Sequence, residues 1–151
     1  NVERGVYSDT EINGVLIKIF TNIRNKTMNR LEQELKDAKQ YMPANTVFYE
    51  TPTGTKGWLY TITCELGNQY TLFLYYDGGN YQVLVIDPEI EHKYKSVHTG
   101  HLFSSSRICL NVDVHNSGAG SLREAYSKSV LWATGFSGVL NDIPFVFNYN
   151  Q

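Results

Sequence analysis

The stretch from Thr46 to Ile86 alternates between apolar and polar residues, and short turn sequences interrupt the alternation. Neighbouring side chains of a β-strand point to opposite faces, so this alternation predicts strands with one buried face. Gly67-Asn68 and Asp77-Gly78-Gly79-Asn80 are typical of tight turns. We therefore predict an antiparallel meander of four strands: Thr46–Thr51, Trp58–Leu66, Gln69–Tyr76 and Tyr81–Ile86.

Apolar residues at helical spacing lie on both sides of the meander. Ser8-Asp9-Thr10-Glu11 matches a capping box, and the apolar stripe after it predicts a helix to about Arg24. Asn25-Lys26-Thr27 predicts a break, and a second helix then runs to Pro43. A further helix is predicted at Ser121–Leu140. The order of elements predicts an α+β fold with an N-terminal extension (1–27) and a main domain (28–151).

Composition excludes several classes of function. A chain of 151 residues with a formal net charge of −2 and no dominant basic patch is not typical of a nucleic-acid-binding protein. No apolar run approaches the ~18 residues of a membrane span. The chain has two cysteines in unlike surroundings, which is not a disulfide framework, so we expect a reducing, cytoplasmic setting.

The two cysteines lie in contrasting sequence contexts. Cys64 continues the alternation of the second strand on the side of Trp58, which predicts a core position. Cys109 follows three serines and an arginine at the end of a long polar segment without periodicity, Glu89–Arg107. Long irregular loops in compact domains are often functional, and a thiol near cations is a candidate nucleophile.

The order of these features resembles a known family over roughly residues 28–142. An opening helix, Asn29-Arg30-Leu31-Glu32-Gln33-Glu34-Leu35-Lys36-Asp37, is followed by the meander, then by Ile108-Cys109-Leu110, and then by a helix. This arrangement resembles the ubiquitin-conjugating enzyme domain of the divergent prokaryotic type. The resemblance implies a ubiquitin-conjugating-like α+β fold, with N-terminal helices, a four-stranded meander, a cysteine loop and a C-terminal helix.

The resemblance also implies an activity. Cys109 would accept an activated C-terminal glycine as a thioester and pass it to an amine, which makes the chain an acyl transferase. The family's His-Pro-Asn tripeptide has its Asn eight residues before the cysteine, and His101 stands at that position here. An imidazole N–H can replace the amide as donor to the oxyanion. The family's tryptophan and proline after the cysteine do not occur in 111–121.

Further residues would serve the substrates. Ser105 and Ser106 would bind the glycine tail, with Arg107 as the neighbouring cation, and Asp113 or Asp142 would orient the incoming lysine. No cofactor is implied. A zinc site remains the alternative use of four residues, but their spacing matches no closed zinc pattern: His98, His101, Cys109 and His115.

The implied partners are an activating enzyme, on a separate chain or fused after Gln151, and a carrier protein with a C-terminal glycine. In bacterial antiphage defence of the CBASS type, a cGAS-like nucleotidyltransferase takes the carrier's place. Two alternatives stay open: a non-catalytic protein-binding module of the same fold, or a cysteine hydrolase that uses Cys109 with His101 or His115. The N-terminal helix is either additional core packing or a docking helix for a partner or a second subunit.

Overall fold

The structure, a computed structural model, describes residues 8–111 and 118–145. These residues form an α+β fold with two α-helices and a four-stranded antiparallel sheet. The α+β class and the four-stranded antiparallel meander, of order β1-β2-β3-β4, are as predicted. A 3₁₀ turn, His92–Tyr94, follows the sheet. The elements are α1 (Asp9–Tyr41), β1 (Val47–Glu50), β2 (Lys56–Thr63), β3 (Gln69–Tyr76), β4 (Tyr81–Asp87) and α2 (Leu122–Val139).

The predicted pair of N-terminal helices is wrong, because α1 runs unbroken through residues 25–27. No glycine or proline interrupts this segment, and the Thr27 hydroxyl donates to the carbonyl of Ile23 within the helix.

The capping box at the start of α1 is confirmed. Glu11 accepts from the Ser8 backbone N–H at 2.8 Å and donates its own N–H to the Ser8 hydroxyl. The hydrogen bonds that the Glu11 carboxylate accepts from the N–H and the hydroxyl of Ser8 lower the pKa of Glu11.

The chain divides into two compact units, one ending at Lys36 and the other beginning at Asp37. In the first unit, every described residue from Ser8 to Asn29 is exposed. The second unit contains the sheet, the cysteine loop and α2, and it holds the hydrophobic core.

The core lies between α2 and the inner face of the sheet. Alternate residues of β2, β3 and β4 are buried on this face, as the period-two pattern predicts. The main apolar contributors are Trp58, Tyr60, Ile62, Tyr70, Leu72, Leu74, Val83 and Val85 from the sheet, and Leu122, Ala125, Trp132, Ala133 and Phe136 from α2.

The predicted extent of β2 is too long. The strand ends at Thr63, because the Cys64 carbonyl accepts from the Gly67 N–H and the turn begins there. Gly67 has a φ of +89°, which glycine adopts without strain. Leu66 is therefore 62% exposed instead of buried, whereas Cys64 is half-buried and packs against the core.

Two buried tyrosine–serine hydrogen bonds join the sheet to α2. The Tyr60 hydroxyl lies 2.7 Å from the Ser129 hydroxyl, and the Tyr70 hydroxyl lies 2.8 Å from that of Ser137. Each serine donates its proton to a helix carbonyl, so the tyrosine is the donor in each pair. Burial raises the pKa of both tyrosines. These bonds satisfy polar groups that would otherwise be costly in the core.

We expect Ser129→Ala to lower the free energy of unfolding by about 1–3 kcal/mol, because the Tyr60 hydroxyl then has no acceptor. Adding Tyr60→Phe removes that unpaired hydroxyl, so the double variant should lose less than the sum of the two single losses. Urea unfolding of the four proteins measures this coupling. Strictly additive losses would contradict the pairing.

Candidate functional site

The polar segment that ends at Cys109 contains a short hairpin, which the sequence interpretation treated as irregular. Leu102 and Ile108 face each other across it. The Cys109 N–H donates to the His101 carbonyl at 2.8 Å, and the Phe103 N–H donates to the Arg107 carbonyl at 2.8 Å. The backbone thus pairs His101 directly with Cys109.

The two faces of this hairpin differ sharply. Leu102 and Ile108 are fully buried on one face. On the other side of this pair the backbone sets His101 opposite Cys109. Arg107 and Phe103 form the next pair on this face, with the guanidinium 4.3 Å from the ring centroid. Arg107 and Cys109, two residues apart on the same arm, therefore lie on one face of the hairpin, and the backbone of His101 lies opposite Cys109.

The hairpin is anchored to the edge of β4. The Ile108 N–H donates to the Val83 carbonyl at 2.8 Å, and the Val85 N–H donates to the Ser106 carbonyl at 2.9 Å. The arm that carries Cys109 therefore extends the sheet by a short additional pairing, and its position follows from the register of β4.

Helix α2 holds both ends of the hairpin through side chains that the sequence did not single out as site residues. The Trp132 indole N–H donates to the Gly100 carbonyl at 2.9 Å, directly before His101. The Lys128 ammonium donates to the Leu110 carbonyl at 3.0 Å, directly after Cys109. Trp132 is itself fully buried in the core.

Cys109 is less ionised than its polar sequence context suggests. Its thiol is half-buried and donates to the Asn111 carbonyl at 3.0 Å. Burial raises the pKa of the Cys109 thiol, and the positive charge of Arg107 opposes this only in part. At neutral pH the resting group is therefore the thiol, and the expected cationic activation does not prevail.

His101 is held in a defined position and in its neutral form. Its backbone is left-handed, with a φ of +50°, which is uncommon for a residue with a side chain although histidine is enriched there. The ring stacks on Phe145 with a centroid distance of 4.0 Å. Burial and the charge of His98 lower the pKa of His101, so the imidazole is neutral at neutral pH and has one N–H to donate. Phe145 lies in the segment that follows α2.

The other predicted site residues are less closely assembled. Ser105 is exposed at the hairpin tip, and Ser106 takes a φ of +68° beside it. Asp142 is exposed just after α2, and its N–H donates to the Val139 carbonyl. No contact described for Asp142 joins it to the face of Cys109. Asp113 and His115 lie outside the described residues.

A second candidate surface lies on the outer face of the sheet. A pocket of about 560 Å³ is formed there, open to solvent and largely apolar. Leu84 is one of its lining residues, and the backbone of Leu84 pairs with Arg107 of the hairpin. The full lining is Tyr49, Thr51, Thr53, Thr55, Leu59, Phe73, Tyr75, Leu84 and Ile86.

Two broader properties bear on function. Across residues 8–111 and 118–145, no three histidine, cysteine or acidic side chains come together as metal ligands would. Neither described helix contains an apolar stretch long enough to cross a membrane.

Models of known protein families, curated proteins and solved structures give no match to this chain. The function proposed below is therefore based on the geometry of the hairpin.

We expect the alkylation rate of Cys109 to rise with pH to a midpoint above that of an ordinary thiol, because burial disfavours the thiolate. Arg107→Ala should move the midpoint higher still, and Arg107→Lys, which keeps the charge, should move it less. Iodoacetamide kinetics on a Cys64→Ala background measure one thiol at a time. A midpoint below the ordinary value, or no response to the loss of Arg107, would contradict this assignment.

Proposed function

We propose that this protein is a ubiquitin-conjugating-like transferase that carries an acyl group as a thioester on Cys109. The observation that carries the proposal is the backbone pairing of His101 with Cys109 in an anchored hairpin. This pairing supports the closeness of an acceptor thiol and a hydrogen-bond donor that the resemblance to the family implies. The α+β architecture is compatible with that resemblance.

The first step is a thioester exchange. The Cys109 thiolate attacks the carbonyl carbon of an incoming C-terminal glycine thioester, and a new C–S bond forms as the donor's C–S bond breaks. The departing thiolate takes up the proton that Cys109 released. Because the bonds formed and broken are of the same kind, this step needs little acid–base assistance.

The second step is attack by an amine and depends on His101. The amine nitrogen forms a bond to the carbonyl carbon, the C–S bond breaks, and the nitrogen's surplus proton passes to solvent while Cys109 leaves as thiolate. Negative charge develops on the carbonyl oxygen in between. The neutral imidazole N–H of His101 donates to that oxygen, in the position where the family has asparagine.

A synthetic peptide α-thioester ending in glycine tests the first step without any partner protein. We expect intact-mass spectrometry to show one covalent adduct that is removed by excess free thiol. Cys109→Ala should abolish the adduct.

Cys64→Ala is the matched control, since both cysteines are half-buried and only one lies on the hairpin. An adduct that persists in Cys109→Ala, or none at any pH up to the alkylation midpoint, would overturn thioester carriage on Cys109.

The second step is tested by following the loss of this adduct to a free amine. We expect His101→Ala to slow the transfer by about 10²-fold while the adduct still forms, because one oxyanion donor is lost. His101→Asn should restore most of the rate, since asparagine supplies an N–H and tolerates the left-handed backbone. Equal rates in all three proteins would remove His101 from the mechanism.

We place this activity in a bacterial conjugation system, in the cytoplasm. An activating enzyme loads Cys109 with a ubiquitin-like protein, or with the C-terminus of a cGAS-like nucleotidyltransferase in antiphage defence. The support for this setting is the resemblance to prokaryotic family members.

A protein-binding module is the second candidate, and the open apolar pocket on the outer face of the sheet favours it. In that case the sheet is the functional surface and Cys109 is unused. The peptide thioester experiment separates the two functions, because a pure binding module forms no thiol-sensitive adduct.

A further inference from the structure

The first half of α1 presents an apolar stripe to solvent. Four of its residues are spaced by four, three and four, and they are between 44% and 56% exposed: Ile12, Leu16, Ile19 and Ile23. This spacing is the alternating a/d repeat of a coiled-coil seam. Val15 and Phe20 lie beside the stripe and widen it. A seam of this kind needs a second helix to cover it.

Charge at the two ends of the stripe selects the orientation of that second helix. Continuing the same heptad positions places Asp9 one step before Ile12 and Lys26 one step after Ile23. In two antiparallel copies, Ile12 meets Ile23 and Leu16 meets Ile19. The same register sets Asp9 of each copy against Lys26 of the other. A parallel pair would instead oppose like charges at both ends.

We propose that Asp9–Lys26 forms an antiparallel two-helix coiled coil with the same segment of a second copy of this chain. The segment is about 26 Å long. Four apolar layers and the flanking side chains bury on the order of 1,000 Å² in total, which is near the lower limit for a specific interface. The assembly is independent of the function proposed for Cys109.

The first test is the concentration dependence of the sedimentation coefficient of the full chain. The proposal requires a dimer, and Ile19→Asp should convert it to a monomer. Ile17→Asp is the matched control: Ile17 is 66% exposed on the same helix but lies outside the seam. Neither substitution removes a buried residue, so circular dichroism should show folded protein in both. A monomeric wild-type chain, or equal effects of the two substitutions, would overturn the proposal.

Cross-linking tests the orientation. On a Cys64→Ala, Cys109→Ala background, a mixture of Leu16→Cys and Ile19→Cys chains should form the mixed disulfide. The same chains kept apart should each cross-link much less. Preferential self-cross-linking of the separate variants would indicate a parallel pair and would overturn the antiparallel register.

Reversal of charge tests the end layers. Lys26→Glu should weaken the dimer, because it then opposes Asp9, and Asp9→Lys together with Lys26→Glu should restore it. Failure of the double variant to recover would contradict the Asp9–Lys26 pairing.

Co-sedimentation with vesicles of anionic phospholipid tests whether the stripe binds a membrane surface instead. A monomer that binds these vesicles through the stripe would make α1 a membrane-surface helix and would overturn the coiled coil.

Discussion

The hydrogen bond from Trp132 to Gly100 links the core to the candidate site. The indole is fully buried and packs against Tyr70 and Phe136, with centroid distances of 5.2 Å and 4.9 Å. Its N–H cannot stay unpaired at that depth, so it requires a carbonyl within reach. Gly100 provides one, and a side chain there would collide with the Tyr94 carbonyl. The packing of α2 on the sheet thereby fixes the backbone from which His101 projects.

The half-buried state of Cys109 has two opposing effects on a thioester carrier. A raised thiol pKa leaves less thiolate at neutral pH, although each thiolate is then more nucleophilic. The same raised pKa makes Cys109 a poorer leaving group, so the loaded acyl group is lost more slowly. In the transferase proposed above, burial would therefore favour a thioester that persists until an amine and a donor to the oxyanion are both in place. The donor assigned in that proposal is His101, whose lowered pKa keeps the imidazole neutral with one N–H at neutral pH.

Local pattern predicted most of the sheet, because alternation and turn residues act over a few positions. Strand β3 has the predicted bounds, and β2 differs where the turn at Cys64 takes over. The hairpin was not predictable in this way, since each arm has only three alternating residues. The long-range contacts were out of reach as well: Gly100 and Trp132 are 32 residues apart, and Leu110 and Lys128 are 18 apart. The family's spacing of eight residues before the cysteine did identify His101, and the backbone joins His101 to Cys109 by a hydrogen bond.

The error in α1 has a physical cause that bears on its role. The apolar positions shift by five residues between Ile23 and Met28, which turns the stripe by about 140° around the helix. Such a shift ends a helix only if a glycine, a proline or an unsatisfied polar group also interrupts it, and none does between these residues. The later apolar positions are Met28, Leu31, Leu35, Ala38 and Met42. Ala38 and Met42 are buried in the core, whereas Met28, Leu35 and the whole earlier stripe are exposed. The change of phase within one continuous helix therefore agrees with the proposed change of packing partner, from the chain's own core to a second copy of the chain.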